Sequence, residues 1–374
     1  MSLGLYIHVP FCKTRCHFCA FYLQIYREDR ALAYLESLGR EIRFHAQVNS
    51  LGGRSLDTVY VGGGTPTTLR PEELCKILEL IRARFALQDN AEITLEAHPD
   101  TVTAEGLKGL VQAGFNRISF GVQSMDDSEL LRIGRRTLAA STHNASIAAR
   151  SAGFVNINLD LIYGLPGQTM EGWHTTLEET LGLEPTHVSC YALTIEEGTK
   201  LHRDLRRGGS EEPDTDLQNA MEDDAVRRLA MMGFERYEIS NYSRPGYACR
   251  HNQLYWRGED YLGLGPSAQS YLDGCRFGNV EDLQAYHRAL ESGHLPIQER
   301  ERLTPEQRWR EAIMFGLRLI EGIDFVIVQA TTDRTWAQAL DRLMDQGLLE
   351  EQSGRVRMTE RGRRFADSVA VELL

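Results

Sequence analysis

Eight residues near the N-terminus, Cys12-Lys-Thr-Arg-Cys16-His-Phe-Cys19, carry three cysteines spaced C-x3-C-x2-C. A loop this short cannot readily bridge its own cysteines into useful disulfides. It can point three thiolates at one centre. Three is one short of the four usual for an iron–sulfur cluster, which leaves one iron open to a substrate or cofactor. Zinc is the alternative. No fourth ligand of a structural zinc site is evident nearby, although His17, inside the loop, could fill that place.

The rest of the composition narrows the setting. The chain has 374 residues, enough for one large domain and one or two small ones. Its apolar content of 42% supports a substantial core. No run approaches the roughly 18 apolar residues of a spanning helix, and no secretory signal pattern is read at the N-terminus. A net charge of -12 argues against general nucleic-acid binding. The cysteines number seven. Cys75, Cys190, Cys249 and Cys275 are scattered and read as small buried residues in a protein of a reducing cytoplasm.

In order along the chain, residues 3 to 9 read as a first strand and the cysteine loop follows it. A helix is expected over 29 to 48, then a strand over 57 to 61 that ends in Gly62-Gly-Gly-Thr-Pro66. Pro71-Glu-Glu opens a helix running to about 85. Strands over 92 to 97, 117 to 122, 156 to 163 and 187 to 194 alternate with helices over 104 to 113, 126 to 134, 140 to 152 and 170 to 182. About six β-then-α units imply a parallel sheet covered by helices, as an open sheet or a barrel. Ligand sites then gather at the C-terminal ends of the strands. The cysteines, Gly62 to Thr65, Glu96, Gln123 and Asp160 fall at or near such ends.

Past residue 200 the alternation stops. A charged surface connection over 203 to 216 leads to a helix near 215 to 232 and a short strand over 235 to 240. A loop-rich segment is expected over 241 to 277. The tail from 304 reads as helices followed by a strand pair. In it, 343 to 350 and 355 to 362 resemble the recognition helix and wing of a winged-helix module.

Gly62-Gly-Gly-Thr-Pro66 permits close backbone approach to a ligand and is neither a Walker loop nor a dinucleotide fingerprint. Gly263-Leu-Gly265-Pro-Ser-Ala268 matches G-x-G-x-x-A only superficially, because it lies outside any βαβ unit. Arg361-Gly-Arg-Arg364 reads as a solvated helix face. Cys249-Arg-His251-Asn-Gln-Leu-Tyr-Trp256 gathers His, Cys, Tyr and Trp in a region expected outside the barrel. A lone histidine is more often structural, but His, and sometimes Cys or Tyr, are also axial ligands of heme iron.

The cysteines followed by Gly62-Gly-Gly-Thr-Pro66 resemble a radical S-adenosylmethionine (SAM) protein. Tyr6-Ile-His-Val-Pro-Phe-Cys12, Leu95-Glu-Ala-His-Pro99, Arg117-Ile-Ser-Phe-Gly-Val-Gln-Ser124, Asn158-Leu-Asp-Leu-Ile-Tyr-Gly-Leu-Pro166 and His251-Asn-Gln-Leu-Tyr-Trp256 resemble the oxygen-independent coproporphyrinogen III oxidase family over nearly the whole chain. Within it the chain is more similar to the HemW-type heme chaperones. The oxidase pattern has a further cysteine two residues past the third, where this chain has Phe21. The oxidase also has a longer segment before its first strand.

The resemblance implies an α/β fold, a partial (β/α)6 parallel barrel with a C-terminal winged-helix-like α+β region. It divides as a barrel over 1–200, a family-specific extension over 201–300 and the C-terminal domain over 301–374. It also implies that Cys12, Cys16 and Cys19 hold a [4Fe–4S] cluster whose open iron is chelated by SAM. Gly63, Gly64 and Thr65 would line the methionyl group. Glu96, Gln123, Arg135 and Asp160 match further SAM-contacting positions, with Arg136 the neighbour that makes Arg135 harder to place. Tyr6 and Phe18 would pack by cluster and cofactor, and His251 would bind heme. The implied function is a heme chaperone serving acceptor hemoproteins. An electron donor to the cluster, a homodimer and peripheral membrane contact through acceptors go with it. The alternative is a radical SAM enzyme, a coproporphyrinogen III oxidase or a SAM-dependent methyltransferase.

Overall fold

A computed structural model of the chain describes residues 3–47, 51, 53–325 and 334–373. Strand β1 (Leu3–Val9) leads into the short β2 (Phe11–Cys12), which pairs with β3 (Gln24–Ile25). The cysteine loop connects these two short strands. Helix α1 (Glu28–Gln47) carries Glu28 and Asp29 in its first turn, where the helix dipole favours anions. There follow β4 (Ser55–Gly63), α2 (Pro71–Arg82), β5 (Ala86–Ala97), α3 (Ala104–Ala113), β6 (Arg117–Gln123), α4 (Asp127–Arg132), α5 (Ala139–Ala152), β7 (Asn156–Tyr163), α6 (Met170–Gly182) and β8 (His187–Ala192). Helix α3 shows how locally these bounds are set. Thr103 accepts a hydrogen bond from the Gly106 N–H at its start, and Gly114 ends it at φ 107°.

Strands β1, β4, β5, β6, β7 and β8 lie side by side and parallel. This is the expected α/β barrel sheet, and it stays open because its order runs between two free ends.

The stretch after residue 200 is more ordered than its sequence suggests. Helix α7 (Lys200–Arg206) occupies the first part of the expected surface connection, and α8 (Thr215–Met231) follows. The strand near 235 shrinks to β9 (Glu235–Arg236), and β10 (Asn241–Ser243) pairs antiparallel with β8. The segment expected to be loop-rich contains helix α9 (Arg250–Trp256) and the strands β11 (Asp260–Leu264), β12 (Gln269–Leu272) and β13 (Cys275–Asn279). Strand β11 runs parallel to β1 on the side away from β4. Two glycines and the following proline hide it in the sequence, because they mark a sharp reversal. A Cβ on Gly263 would come 2.2 Å from the Gln269 carbonyl, so the superficial dinucleotide match is a tight β11–β12 connection. Helix α10 (Leu283–Glu291) follows, and β14 (Ile297–Arg302) completes a sheet of 12 strands among the described residues. The extension is thus continuous with the barrel sheet.

The tail has its own core, which includes Ile313, Leu317, Trp336, Leu340, Val356 and Val369. It comprises α11 (Pro305–Gly316), β15 (Ile323–Asp324), a helix over Arg334–Asp345, the hairpin β16 (Leu349–Gln352) and β17 (Arg355–Met358), and two short C-terminal helices. The winged hairpin is present. The expected recognition helix stops at Asp345, because Gly347 turns at φ 68° and Leu349 already belongs to the hairpin. Part of the expected helical run, 326–333, lies outside the described residues. The arginines of Arg361-Gly-Arg-Arg364 are engaged: Arg364 bonds Asp223, Arg361 the Gln346 carbonyl and Arg363 the Met358 carbonyl.

One buried carboxylate joins α1 to the added strands. Glu41 is fully buried and accepts from the Gly265 N–H (2.8 Å), Asn279 Nδ2 (2.6 Å) and Tyr286 Oη (2.6 Å). Burial pushes its carboxyl up to about 7 against these bonds. Glu41→Ala strands three buried polar groups and is expected to cost about 3 kcal/mol. Glu41→Gln should lose less. Urea denaturation of the two variants checks this, and an Ala variant as stable as wild type would refute it.

Candidate functional site at the strand ends

Parallel strands bring their C-terminal ends to one rim, and here that rim encloses a cavity of about 540 Å3. Cys12, Cys16, Cys19, Phe18, Gly63, Gly64, Thr65, Glu96, Gln123, Arg135 and Asp160 all line it. Residues from β2, the cysteine loop and the exits of β4, β5, β6 and β7 are thereby brought together.

The glycine run is stitched to the cysteine strand. Gly64 N–H donates to the Val9 carbonyl (2.9 Å) and Thr65 N–H to the Phe11 carbonyl (2.7 Å). Cys12 Sγ sits 3.3 Å from Thr65 Oγ1. The approach is so close that a Cβ on Gly64 would lie 2.7 Å from the Phe11 carbonyl oxygen. Gly63, at φ 111°, has the His8 ring 2.8 Å from where a Cβ would sit.

Burial pushes the Cys12 thiol up to about 11, with Thr65 opposing and Cys19 and Cys16 adding to the rise. Burial also raises Cys19. Thiols held this way give up their protons to a bound cation. Among the described residues, no three His, Cys, Asp or Glu side chains converge on a single-ion position. A cluster needs no such convergence, because each thiolate binds a different iron. His17 does not supply a fourth ligand. Its Nδ1 faces the Arg132 carbonyl at 3.2 Å and its ring packs on Gly134.

The opposite wall is polar. Glu96 accepts from Tyr60 Oη (2.8 Å) and the Gly63 N–H (3.1 Å). Burial pushes it up to about 7; Tyr60 opposes the rise and Asp160 adds to it. Asp160 accepts from Ser119 Oγ (2.9 Å) and Asn158 Nδ2 (2.8 Å). Gln123 turns at φ 74°, an unusual backbone for a non-glycine residue, at the point where β6 ends. Arg135 is buried, donates to the Gly121 carbonyl (2.5 Å) and keeps a buried Nε without a hydrogen-bond partner. Its neighbour Arg136 is exposed. Three thiols beside a buried guanidinium, a glycine cradle and two carboxylates fit a cluster with a zwitterionic ligand.

Sequence reasoning assigned no role to His98, Thr137 or Tyr191, which also line the cavity. His98 Nε2 is 3.0 Å from Thr137 Oγ1. Its position two residues past Glu96, on the exit of β5, was the available signal. Tyr6 stands behind the first layer of the wall. It is absent from the cavity wall and lies deeper in the barrel, with its Oη 3.2 Å from His8 Nδ1 and its ring 6.1 Å from Tyr60.

His251 departs furthest. Its segment is the helix α9, and the histidine is buried inside the barrel rather than in a loop outside it. Both ring nitrogens are engaged, Nδ1 with Thr58 Oγ1 at 2.7 Å and Nε2 with Tyr255 Oη at 2.8 Å. Its ring stacks on Tyr60 at 5.0 Å. Burial, then Arg117, pushes its pKa down to about 3, so the imidazole is neutral.

The chain matches the Radical SAM superfamily over residues 6–180 and the HemN C-terminal domain over 303–365. It is 35% identical to the heme chaperone HemW of Mycobacterium tuberculosis over 374 residues, covering 99% of this chain and 94% of that one. The chain belongs to the HemW family. The Bacillus subtilis HemW is 32% identical over 372 residues, 97% of each chain. Among solved structures, the radical SAM enzyme coproporphyrinogen III oxidase (HemN) of Escherichia coli superposes with a TM-score of 0.87 at 25% identity, over 100% of this chain and 90% of that one. Membership of this family implies a [4Fe–4S] cluster and SAM.

The glycine cradle makes a sharp test. Gly64→Ala drives the Phe11 backbone, and Cys12 with it, out of place. After anaerobic reconstitution with iron and sulfide, the variant is expected to hold less than half the iron of wild type. Gly109→Ala, whose new Cβ meets nothing within 4 Å, should load normally.

Proposed function

We propose that the protein binds heme and passes it to acceptor hemoproteins, holding a [4Fe–4S] cluster on Cys12, Cys16 and Cys19. SAM would lie over Gly63, Gly64 and Thr65, with Glu96, Gln123, Arg135 and Asp160 around it. The observation that carries the reading is Phe21. Where the oxidase pattern has its further cysteine, this chain puts a phenylalanine at the cavity rim with 68% of its surface exposed. The full-length relatives named heme chaperones support it. Bound together, a reduced cluster and SAM supply one-electron chemistry. The chain's own part is to hold the thiolates, exclude water and present carboxylates to the ligand's ammonium group.

The reading includes an electron donor for the cluster, a homodimer, action in the cytoplasm and membrane contact through acceptors. No helix among the described residues is long and apolar enough to cross a membrane. The enzyme reading keeps one observation in its favour, the complete cavity with Asp160, Ser119 and Tyr191 on its wall. Anaerobic incubation with SAM, a reductant and coproporphyrinogen III separates the two. No porphyrin or methylated product is expected, whereas hemin should bind near one per chain and move to an apo-hemoprotein. Turnover would overturn the chaperone reading.

Glu96 gives SAM binding a pH dependence. With its carboxyl at about 7 in the folded chain, the charged form that pairs with an ammonium is lost as pH falls. SAM affinity is expected to drop about tenfold per unit below pH 7. Glu96→Gln should bind weakly with no such slope. Calorimetric titration between about pH 5.5 and 8 checks the sign.

A further inference from the structure

A second cavity, of about 660 Å3, lies on the far side of α9 from the barrel interior. Its walls are the C-terminal end of α9, the β11–β13 strands and α11. This volume is in the range of sites that enclose cofactor-sized ligands. The lining is aromatic, with Tyr255, Trp256, Tyr261, Tyr271, Trp309 and Phe315. Tyr255 and Tyr261 meet edge to face at 4.6 Å, and Tyr261 sits opposite Tyr271 across the strand pair. Trp256 keeps a buried indole Nε1 with no hydrogen-bond partner, and Trp309 is exposed. Two arginines, Arg276 and Arg308, also line the cavity and are exposed. Arg276 is paired with Glu301 (2.8 Å) and Glu311 (3.1 Å). Arg308 donates to the Asp273 carbonyl (2.9 Å) and forms no ion pair with a carboxylate among the described residues.

We propose that this cavity is the heme site, with the macrocycle among Tyr255, Trp256, Tyr261 and Phe315 and a propionate on Arg308. The proposal rests on the heme-binding reading and deepens it by moving the ligand from His251 to the outer face of the same helix. Aromatic walls suit a flat macrocycle through offset stacking, and arginine suits a carboxylate through bidentate pairing. Among the described residues the wall offers tyrosines and neither histidine nor cysteine, so the iron takes a tyrosinate, a known axial ligand. Tyr271 lines the cavity beside Arg308 and Arg276; burial raises its phenol, with Arg308 opposing and Asp260 and Glu311 adding to the rise, so its proton leaves only when the iron binds. His251 then acts as a positioning residue through its bond to Tyr255.

The test is an anaerobic hemin titration of the full chain with reconstituted cluster, followed at the Soret band. It compares wild type with Ala312→Trp, which fills the cavity, and Arg308→Glu, which reverses the charge at its mouth. Wild type is expected to bind near one hemin per chain with a high-spin tyrosinate spectrum. Ala312→Trp should weaken binding at least tenfold and Arg308→Glu severalfold, while cluster absorption and SAM affinity stay at wild-type values. Arg308 is exposed, so its variant folds even if the tryptophan does not fit. Wild-type hemin affinity in both variants, or a bis-histidine or thiolate spectrum, would overturn the assignment and leave heme binding elsewhere. Absence of hemin binding by wild type would instead remove the heme reading itself.

Discussion

The carboxylate of Glu92 on β5 accepts hydrogen bonds from the Arg250 N–H (3.0 Å), the His251 N–H (3.1 Å) and Cys249 Sγ (3.5 Å). The first N–H groups of a helix have no partner within it, and a negative charge there is favoured by the dipole. Glu92 is buried, so this one interaction docks a helix of seven residues into the barrel from the N-terminal side of the sheet. Without it α9 would present free donors to a closed interior. With it, α9 separates two spaces, the cofactor cavity above Tyr60 and the aromatic cavity beyond Tyr255.

The interior that receives α9 is polar and mostly hydrogen-bonded within itself, with Arg117 Nε and Thr94 Oγ1 left without a partner among the described residues. Asn158 donates to Ser119 Oγ (2.7 Å) and Ser189 Oγ (3.0 Å), and its carbonyl meets His187 Nδ1 at 2.6 Å. His187 Nε2 reaches Tyr237 Oη at 2.9 Å. Arg117 is buried, and burial works against its charge. A guanidinium stays protonated in a protein even so, and the carboxylate of Glu92 acts in its favour. Buried polar networks of this kind fix one arrangement, because each member left alone carries the full penalty of desolvation. The opposite faces of the same strands are apolar and belong to the main core, as with Leu3, Leu5, Ile7 and Val9 of β1. A period of two therefore builds both the helix-covered exterior and the reactive interior.

That period is why the barrel and its rim were legible in the sequence. Strand β7 and helix α6 fall on the expected bounds, since an apolar run ending at a strand exit is a local signal. Cys12, Gly63, Glu96, Gln123 and Asp160 were placed on one rim by strand polarity alone. Helix α9 and strand β11 were not legible. The helix has two turns, and its stabilising partner Glu92 lies 159 residues from His251. The strand is broken by glycines that serve a reversal. The depth of Tyr6, beside Tyr60 and below the cavity wall, was not legible for a related reason, because periodicity says which face a side chain takes and not its depth. The aromatic cavity is built from α9, the added strands and α11, and no contiguous motif contains it.

The placement of His251 decides how it can act on a ligand. To reach an iron, its imidazole would give up bonds to Thr58 and Tyr255, each worth about 1 kcal/mol net and more where a buried group is left unpaired. It would also leave its stacking on Tyr60. Held where it is, it links both cavities by direct contact. Glu96 bonds Tyr60, Tyr60 stacks on His251, and His251 bonds Tyr255. Close packing transmits a change at either end as a shift between discrete arrangements rather than as a diffuse relaxation. The carboxyl of Glu96 and the aromatic wall of the second cavity are thus three contacts apart, so the fold gives the two cavities a direct physical connection.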